Sequence, residues 1–381
     1  MLSVYDVIIV GAGPGGSAAA LSLAHSGLRV ALIDKAIFPR DKVCGDFIAG
    51  HGIRVLREIS PNAYIRLINF PQKAENKSTL LFIGNTKPME FFWKNKSYTI
   101  RRVDFDNLLV EEVVATKNID FYPGHAIKQI KRVGRDFELS CQNGQMFNGH
   151  LIIGADGAHS VVARQLAGYS VDREHYGGSV RAYFKGVKNI RASANEVYVH
   201  KDVVPGYFWL FPVGDDSANV GIGMHSRHIT KHKVDLKARF YDFIEQNPVL
   251  QSKLGEAQLE GSLQGFGLPF YSKEFKIHGD GYMLVGDAAS LIDPSNGEGI
   301  MLAIQSGKMA AEQAIKALKQ DNWSEAALAP YQKAVNKRWW KEMRAKAWMV
   351  NVFAHRYRVL YAVGWLGNQS PTLRRWLQKL M

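Results

Sequence analysis

Cysteine is scarce in this chain, since its 381 residues include only Cys44 and Cys141. Two cysteines exclude a disulfide-stabilised scaffold and are typical of a reducing compartment. Long apolar runs are also lacking, because His355, Arg356 and Arg358 interrupt the best candidate. No apolar run reaches the roughly 18 residues of a membrane-spanning helix, so we do not expect this segment to be an ordinary spanning helix.

Other absences bear on organisation and location. The sequence has no low-complexity segment, internal repeat or Pro/Ser-rich linker, so we expect domains that pack together. Residues 1–10 run directly into a strand pattern without a basic leader, so we expect no signal peptide and a cytoplasmic protein. With 46% hydrophobic residues, the chain can bury one large core or two linked cores.

Negative charge is nearly absent from residues 331–381, which contain eleven Lys or Arg and one acid, Glu342. The rest of the chain is close to neutral. This segment also contains five tryptophans: Trp339, Trp340, Trp348, Trp365 and Trp376. A basic, Trp-rich helix is typical of an element that lies on a membrane surface, here the inner face. The alternative is a helical pair packed on the body. No nucleic-acid-binding module accompanies the charge, so we expect no nucleic-acid partner.

The N-terminus has the pattern of a dinucleotide-binding βαβ unit. A short apolar strand leads into a GxGxxG turn, a small-residue helix at 17–26 and a second strand closed by an acid. Gly11 permits the tight turn, Gly13 lets the backbone approach a pyrophosphate, and Gly16 lets the helix pack on the sheet. The predicted ADP-binding residues are Gly11, Gly13, Pro14, Gly16, Asp34 and Lys35.

A second glycine-rich turn, residues 286–300, follows a short apolar strand at 282–285. Backbone N–H groups at a helix start can hold negative charge without a cationic side chain. A reduced flavin carries such charge around its pyrimidine ring, so this turn suits that end of the cofactor. Asp287 is suited to accept hydrogen bonds from ribityl or ribose hydroxyls. The residues assigned to the flavin here are Gly286, Asp287, Gly297, Gly299 and Ile300.

Between these turns, helix patterns alternate with β-rich stretches, which predicts an α/β nucleotide domain with β-rich insertions. We predict a discontinuous, Rossmann-like FAD-binding domain (1–75, 97–170 and 275–320), a β-rich substrate domain (76–96 and 171–274) and a basic helical C-terminal segment (321–381). Local patterns predict paired strands at 90–94 and 97–100, a helix starting at 102–109, and a loop at 261–269.

The ordered motifs resemble the FAD-dependent oxidoreductases of the p-hydroxybenzoate hydroxylase fold, and among these the geranylgeranyl reductase family. Besides the two glycine turns, the motifs are Pro39–Asp46 with its Cys-Gly, Arg102-x-x-Phe105-Asp106, Gly154-Ala155-Asp156-Gly157, and Tyr207-x-Trp209-x-Phe211-Pro212 followed by Gly221-x-Gly223. They cover the chain from about residue 5 to residue 308.

The resemblance implies noncovalently bound FAD, with Arg102 near its phosphates or ribityl chain and with Asp156 and Gly157 near the pyrophosphate. It also implies a wall of the substrate cavity made by Tyr207, Trp209, Phe211 and Pro294. An aromatic stripe at period two is otherwise typical of plain core. No metal site is predicted.

Cys44 is the predicted catalytic residue. In the family this cysteine faces the space shared by flavin and substrate, where a thiol could supply the proton that alkene reduction requires. The alternative is a small buried residue packing a turn. Cys141, in a strand pattern, is predicted to be structural.

The resemblance implies a reductase that transfers hydride from flavin N5 to a carbon–carbon double bond of a prenyl lipid. The alternative is a monooxygenase or halogenase that uses a peroxyflavin. Against the halogenase, the Trp-x-Trp-x-Ile-Pro signature is absent; against the aromatic hydroxylase, Gly297-Glu298-Gly299 stands where those enzymes show Gly-Gln-Gly. No second GxGxxG is present, so we expect NAD(P)H, if it is the reductant, to bind transiently near the flavin. The alternatives are a ferredoxin or a quinol pool.

Overall fold

A computed structural model describes residues 4–353, 356–370 and 372, which form two β-sheets with helices packed around them. The strands are β1 Val4–Val10, β2 Val30–Ile33, β3 Phe47–Ile48, β4 Ala74–Ile83, β5 Met89–Thr99, β6 Ile119–Tyr122, β7 Ile127–Val133, β8 Asp136–Cys141, β9 Met146–Gly154, β10 Tyr176–Lys185, β11 Ala194–Val199, β12 Gly206–Pro212, β13 Ser217–His225, β14 Gln258–Pro269, β15 His278–Gly279 and β16 Tyr282–Leu284.

The helices are α1 Pro14–Leu23, α2 Gly50–Ile59, α3 Pro61–Ile68, α4 Arg102–Val114, α5 Val161–Leu166, α6 Ser226–His232, α7 Leu236–Gln246, α8 Pro248–Leu254, α9 Ile300–Lys319, α10 Glu325–Val335, α11 Lys341–Phe353 and α12 Tyr357–Gln369. A π-helical segment, Asn336–Trp340, joins α10 to α11. Within the described residues, no helix combines the length and apolar character needed to cross a bilayer.

The first sheet has the strand order β15-β16-β9-β1-β2-β6, with β8 paired to β9 and β7 to β8. The strands β16, β9, β1, β2 and β6 run parallel to one another, whereas β15 is antiparallel to β16 and β8 is antiparallel to β9. Because both faces of this parallel core are covered, β1 and β2 read as nearly continuous apolar runs. The carboxyl ends of β1, β2 and β9 therefore meet at one edge, where ligands of such sheets bind.

Helices α1 and α9 pack side by side through small residues. A Cβ added to Gly307 would lie 2.2 Å from the carbonyl oxygen of Gly15 and 3.2 Å from the nitrogen of Ala19. A Cβ added to Gly15 would lie 3.3 Å from the carbonyl oxygen of Ala303. Since residues early in α1 face residues early in α9, the N-termini of both helices lie at the same end.

The second sheet has the order β14-β10-β13-β12-β11-β4-β5-β3. Its neighbours are antiparallel except β4 and β11, which are parallel. A second hydrophobic core lies between this sheet and helices α7 and α8, around Phe208, Phe240 and Leu250. The predicted class, a Rossmann-like domain combined with a β-rich sheet and a helical C-terminal segment, is confirmed. The domain boundaries stay a prediction.

Two local predictions were wrong. Residues 90–94 and 97–100 do not pair with each other, because both belong to β5, which pairs along β4. Residues 261–269 are not a loop, because β14 pairs along β10, and Gly261 takes up the register shift at a φ of +74°. Pairing with the preceding strand β4 at residues 90–99, and with the distant strand β10 at residues 261–269, outweighed the local turn-forming residues.

The C-terminal segment is only partly exposed. Tyr331, Trp339 and Met343 are buried in the first hydrophobic core. Trp348 and Trp365, by contrast, are 64% and 53% exposed. Trp376 lies outside the described residues.

Candidate functional site

Gly13 is the N-cap residue of α1. Because it has no side chain, it accepts no capping hydrogen bond from the first N–H groups of the helix. A Cβ built on Gly13 would find only Nη2 of Arg40 nearby, at 3.7 Å. The space above this helix start is therefore left free by the protein, as expected where a phosphate approaches the backbone N–H groups.

The other two glycines of the fingerprint are required by the fold itself. A Cβ on Gly11, whose φ is +102°, would lie 2.4 Å from the carbonyl oxygen of Ala155. A Cβ on Gly16 would lie 1.8 Å from the carbonyl oxygen of Gly11. Either substitution would separate β1 from β9 or from α1. Pro14 occupies the first position of α1, where a missing N–H removes no helical bond.

Asp34 lies at the end of β2 and is buried. Its Oδ2 accepts a hydrogen bond from the backbone N–H of Ala12 at 2.6 Å, and its Oδ1 accepts one from that of Ala36 at 2.8 Å. Asp34 thus fixes the glycine turn beside β2, and its predicted contact with the ribose stays a prediction. The neighbouring Lys35 is exposed.

Arg102 does not have a free guanidinium group. Its Nε and Nη2 donate to the two carboxylate oxygens of Asp106, both at 2.6 Å, one turn further along α4. Arg40 lies on the other side of that carboxylate, with Nη1 2.7 Å from Oδ2. These cations hold the pKa of Asp106 below its usual value although the group is buried. Arg102 also lies beside Cys44, and its positive charge acts to lower the pKa of that thiol.

Arg40 therefore connects two parts of the site, because the same side chain reaches the open space above Gly13. The sequence reasoning missed this residue, although it lies inside the Pro39–Asp46 motif. An arginine over a helix N-terminus is suited to a diphosphate, which its forked donors can bind with two hydrogen bonds.

Asp156 acts as a helix cap. It accepts hydrogen bonds from the hydroxyl of Ser160 at 2.5 Å and from the backbone N–H groups of Val161 and Val162 at 2.6 and 3.3 Å. Burial raises the pKa of this carboxyl. The following Gly157 has a φ of +79° and no protein atom near a Cβ position. Their predicted place near the pyrophosphate remains untested.

The second glycine turn begins at Gly286, whose N–H donates to Ser306 in α9 at 3.0 Å. Asp287 forms an ion pair with Lys42, whose Nζ lies 2.9 Å from Oδ2. Lys42, which the sequence did not reveal as a site residue, lies on the loop that precedes β3 and carries Cys44 (the Cys44 loop). Its side chain brings a positive charge to this turn. The predicted contact of Asp287 with the ribityl chain stays a prediction.

The turn closes at the N-terminus of α9, where Gly299 is the cap and Ile300 the first helical residue. Gly297 has a φ of +70° and lies close to the hydroxyl of Tyr207. Glu298 accepts the N–H of Met301 at 2.7 Å with Oε1, while its Oε2 is buried without a partner. Burial raises the pKa of Glu298 to about 7.

Cys44 is half-buried on the loop that precedes β3. Burial raises the pKa of its thiol, and the charge of Arg102 opposes that rise. The carbonyl oxygen of Cys44 accepts hydrogen bonds from Nδ2 of Asn219 at 2.7 Å and from Nε of Arg181 at 3.3 Å. The loop is thereby fixed to β13 and β10 of the second sheet.

Asp46, two residues after Cys44, is fully buried. The sequence did not reveal it as a site residue. Its Oδ2 accepts hydrogen bonds from the hydroxyl of Tyr183 at 2.6 Å and from Asn219 at 2.8 Å, whereas Oδ1 has no partner. Burial raises the pKa of Asp46 to about 6, against the opposing charge of Arg181. A buried carboxyl group that can carry a proton therefore lies beside Cys44.

Trp209 is buried, and its indole N–H donates to Asn219 at 2.8 Å. This orients the amide that holds the Cys44 loop. A Cβ on Gly221, directly opposite on β13, would lie 2.2 Å from the indole, which explains that glycine of the motif. Phe211 packs at the position where a Cβ on Gly45 would lie, 3.3 Å away.

Tyr207 reaches the second glycine turn, where its hydroxyl donates to the carbonyl oxygen of Asn296. Pro294 of the same turn is buried. The four predicted cavity residues thus lie between the Cys44 loop and the second glycine turn, but Trp209 holds the loop in place more than it forms an open wall. Their contact with substrate remains a prediction.

These features fit FAD. The N-termini of α1 and α9 lie at the same end of this helix pair, and the described residues leave a space free above Gly13. Arg40 and Lys42 supply positive charge between the two turns. The described residues contain no cluster of three or more His, Cys, Asp or Glu side chains arranged to hold a metal.

Comparison with known proteins supports the binding of FAD. Residues 4–346 match the FAD binding domain family. The chain is 29% identical to a digeranylgeranylglycerophospholipid reductase of Methanosarcina acetivorans, over 89% of this chain and 81% of that protein. It is 28% identical to a menaquinone reductase of Mycolicibacterium smegmatis, over 81% and 75% of the two chains.

Among solved structures, a geranylgeranyl bacteriochlorophyll reductase-like protein of Thermoplasma acidophilum superposes with a TM-score of 0.83 and 24% identity, covering both chains completely. Flavin-dependent halogenases share the architecture as well. At these identities the structural likeness shows the fold alone.

Proposed function

Because this chain belongs to the FAD binding domain family and is an FAD-dependent oxidoreductase of the geranylgeranyl reductase type, we propose that it reduces carbon–carbon double bonds of a prenyl lipid. The observation that carries the proposal is the position of Cys44, a half-buried thiol beside Arg102, on the loop whose Lys42 forms an ion pair with Asp287 of the second glycine turn. Relatives named for a prenylated phospholipid and for menaquinone support a lipid substrate.

Reduced FAD, when bound, supplies the hydride. The protein must then place the substrate, exclude water and provide a proton for the second carbon of the double bond. The raised pKa of the Cys44 thiol keeps it protonated at neutral pH. When the proton leaves, the adjacent Arg102 stabilises the thiolate that remains.

Arg40 and Lys42 would hold the diphosphate part of FAD, together with the helix start at Gly13. The backbone of Gly297–Ile300 at the start of α9 would face the pyrimidine edge. For the reductant, we propose a transiently bound NAD(P)H or a ferredoxin, since the described residues form no second dinucleotide fingerprint.

The test uses enzyme that is reduced without oxygen and then mixed with vesicles containing a geranylgeranyl-bearing phospholipid. The proposal predicts a product that gains two hydrogens and no oxygen. Cys44→Ser should slow flavin reoxidation by about tenfold to a hundredfold while keeping the FAD content. Cys141→Ser, buried in the first core, is the matched control for thiol loss. A product that gains oxygen, and only in air, would establish the monooxygenase instead.

We also propose that the C-terminal segment contacts an anionic membrane surface at the cytoplasmic side. Its exposed tryptophans, Trp348 and Trp365, and its net positive charge support this contact. Truncation before Tyr331 would remove buried core, so the sharper variant is Trp348→Ser with Trp365→Ser. Binding to anionic vesicles, measured by co-sedimentation, should weaken severalfold for this variant. The control Val133→Ser changes an exposed residue on β7 and should bind like the wild type. Equal binding by all three proteins would reject the contact.

A further inference from the structure

Strand β5 is interrupted by an excursion that its partner strand does not follow. Phe92 is opposite Ser78 and Ser97 is opposite Asn76, so four residues of β5 face a single residue of β4. We call residues 92–96 the β5 finger. Phe92 is 62% exposed and Trp93 38% exposed, and the remaining three residues are exposed as well.

The finger has a fixed position. A Cβ added to Gly50, at the start of α2, would lie 2.5 Å from Cβ of Asn95 and 2.7 Å from the carbonyl oxygen of Lys96. The absence of a side chain at Gly50 therefore lets the finger pack closely on this helix.

The composition of the finger is Phe-Trp-Lys-Asn-Lys. Aromatic rings next to lysines are suited to the boundary between lipid headgroups and acyl chains, and lysines attract anionic lipids. Lys96 lies 3.8 Å from Glu75, but both side chains are exposed, which leaves the ammonium group accessible.

A series of aromatic rings leads inward from the finger. The ring of Trp93 lies 5.7 Å from that of Phe47, and Phe47 lies 6.3 Å from Phe211. Phe211 is 6.3 Å from Trp209, which is 5.8 Å from Tyr207. The series thus joins the surface to the centre of the second sheet.

The inner end of the series borders the candidate active site. Phe211 packs against the backbone of Gly45, next to Cys44, and Tyr207 hydrogen-bonds to Asn296 in the second glycine turn. Phe47, Phe211 and Tyr207 are only half-buried, unlike rings of a closed core. A bound apolar chain would cover the part of these three rings that is accessible to solvent.

We propose that the β5 finger docks on an anionic lipid bilayer and is the entrance through which a prenyl chain passes along Trp93, Phe47 and Phe211 to Cys44. This inference rests on the proposed function for the identity of the chain. An apolar substrate that leaves a bilayer needs a continuous apolar path, because each exposed CH₂ group would otherwise contact water. The finger lies next to the C-terminal segment proposed to contact the membrane through Trp348 and Trp365, because Leu360 of α12 packs against the hydrophobic cluster that contains Met89 and Phe91 of β5.

The docking test measures binding to vesicles of phosphatidylglycerol and phosphatidylcholine. The variant Trp93→Ser/Lys94→Glu/Lys96→Glu should bind at least about tenfold more weakly than the wild type. Tyr241→Ser, which changes an exposed aromatic residue on α7, is the control and should bind like the wild type. If the triple variant fails to retain FAD, Lys94→Glu/Lys96→Glu alone replaces it. Binding within twofold of the wild type would overturn the proposal.

The entrance test compares flavin reoxidation by a geranylgeranyl chain held in vesicles with reoxidation by a short, water-soluble isoprenoid alcohol. The reoxidation rate with the vesicle-bound chain, divided by the rate with the soluble alcohol, should fall about tenfold in Trp93→Ser/Lys94→Glu/Lys96→Glu. An unchanged ratio would overturn the entrance. If the wild type reduces neither substrate, the proposed function fails, while the vesicle-binding experiment still decides whether the finger docks.

Discussion

Lys346 of α11 places its ammonium group 2.7 Å from Oδ2 of Asp293, in the turn that precedes α9. Asp293 is buried, and its Oδ1 accepts hydrogen bonds from the N–H and hydroxyl of Ser295. Its carbonyl oxygen accepts the N–H of Gly297 at 2.9 Å. The C-terminal segment therefore holds the turn that is predicted to face the flavin pyrimidine.

Lys346→Met should leave Asp293 buried without its counter-charge. Removing one partner of a buried ion pair costs about 3–5 kcal/mol, and we expect the lower part of that range because the lysine is partly exposed. FAD should be lost more readily because the turn loosens. Both effects are measured by chemical denaturation and by FAD release in the same preparation.

Lys341→Met is the matched control, since Lys341 lies on the same helix and is exposed. Equal stability of the two variants would show that the ion pair contributes nothing.

Gly13→Ala should impair FAD binding, whereas Gly16→Ala should impair folding. The alanine at position 13 has room within the protein, so we expect a folded protein that has lost FAD. The alanine at position 16 would contact the Gly11 carbonyl oxygen at 1.8 Å, so we expect loss of the fold itself. Absorbance of released flavin and circular dichroism separate the outcomes. Gly214→Ala, which meets no atom within 4 Å, should change neither.

Asp46 should make the protein less stable as pH rises from about 4 to about 6. In this interval the unfolded chain releases the carboxyl proton and the folded chain retains it, because burial raises the pKa of Asp46 to about 6. The free energy of unfolding falls by up to about 3 kcal/mol over this interval and does not change further above it. Asp46→Asn should lack this slope when unfolding is measured across pH 4–7. Exposed Asp242→Asn should retain it, and a slope unchanged in Asp46→Asn would contradict the assignment.

Glu298 should make the flavin midpoint potential depend on pH near neutrality. Above a pKa of about 7 the carboxylate adds negative charge at the predicted pyrimidine turn and disfavours the reduced flavin. The potential should therefore fall more steeply with pH in the wild type than in Glu298→Gln, by about 30 mV for a change of about 1.4 kcal/mol. Spectroscopic redox titration at pH 6 and 8 measures the difference, and parallel curves would speak against it.

The glycine positions could be predicted from sequence because their causes are local. Gly11 and Gly16 are needed for contacts within one βαβ unit and the strand beside it, so the spacing of the motif carries the information. The same holds for the apolar pattern of β1 and β2, whose two faces are both covered.

The residues around Cys44 could not be assigned in this way, because their partners are far apart in the chain. Asn219 bonds to Asp46 across 173 residues and to Trp209 on the neighbouring strand. A single sequence shows neither pairing. The family resemblance implied that Trp209 forms part of a cavity wall, whereas its position depends on the register that sets it opposite Gly221.

The parallel pair β4 and β11 has a consequence for biosynthesis. The two strands are joined by more than a hundred residues, and the second sheet is complete only when β14, which ends at residue 269, has been synthesised. The first sheet waits longer still, because β16 pairs with β9 only after residue 284 emerges. Such late, non-local closure slows folding and leaves strand edges exposed. The second glycine turn, which follows β16, is therefore absent from a nascent chain until about three quarters of the residues have been made.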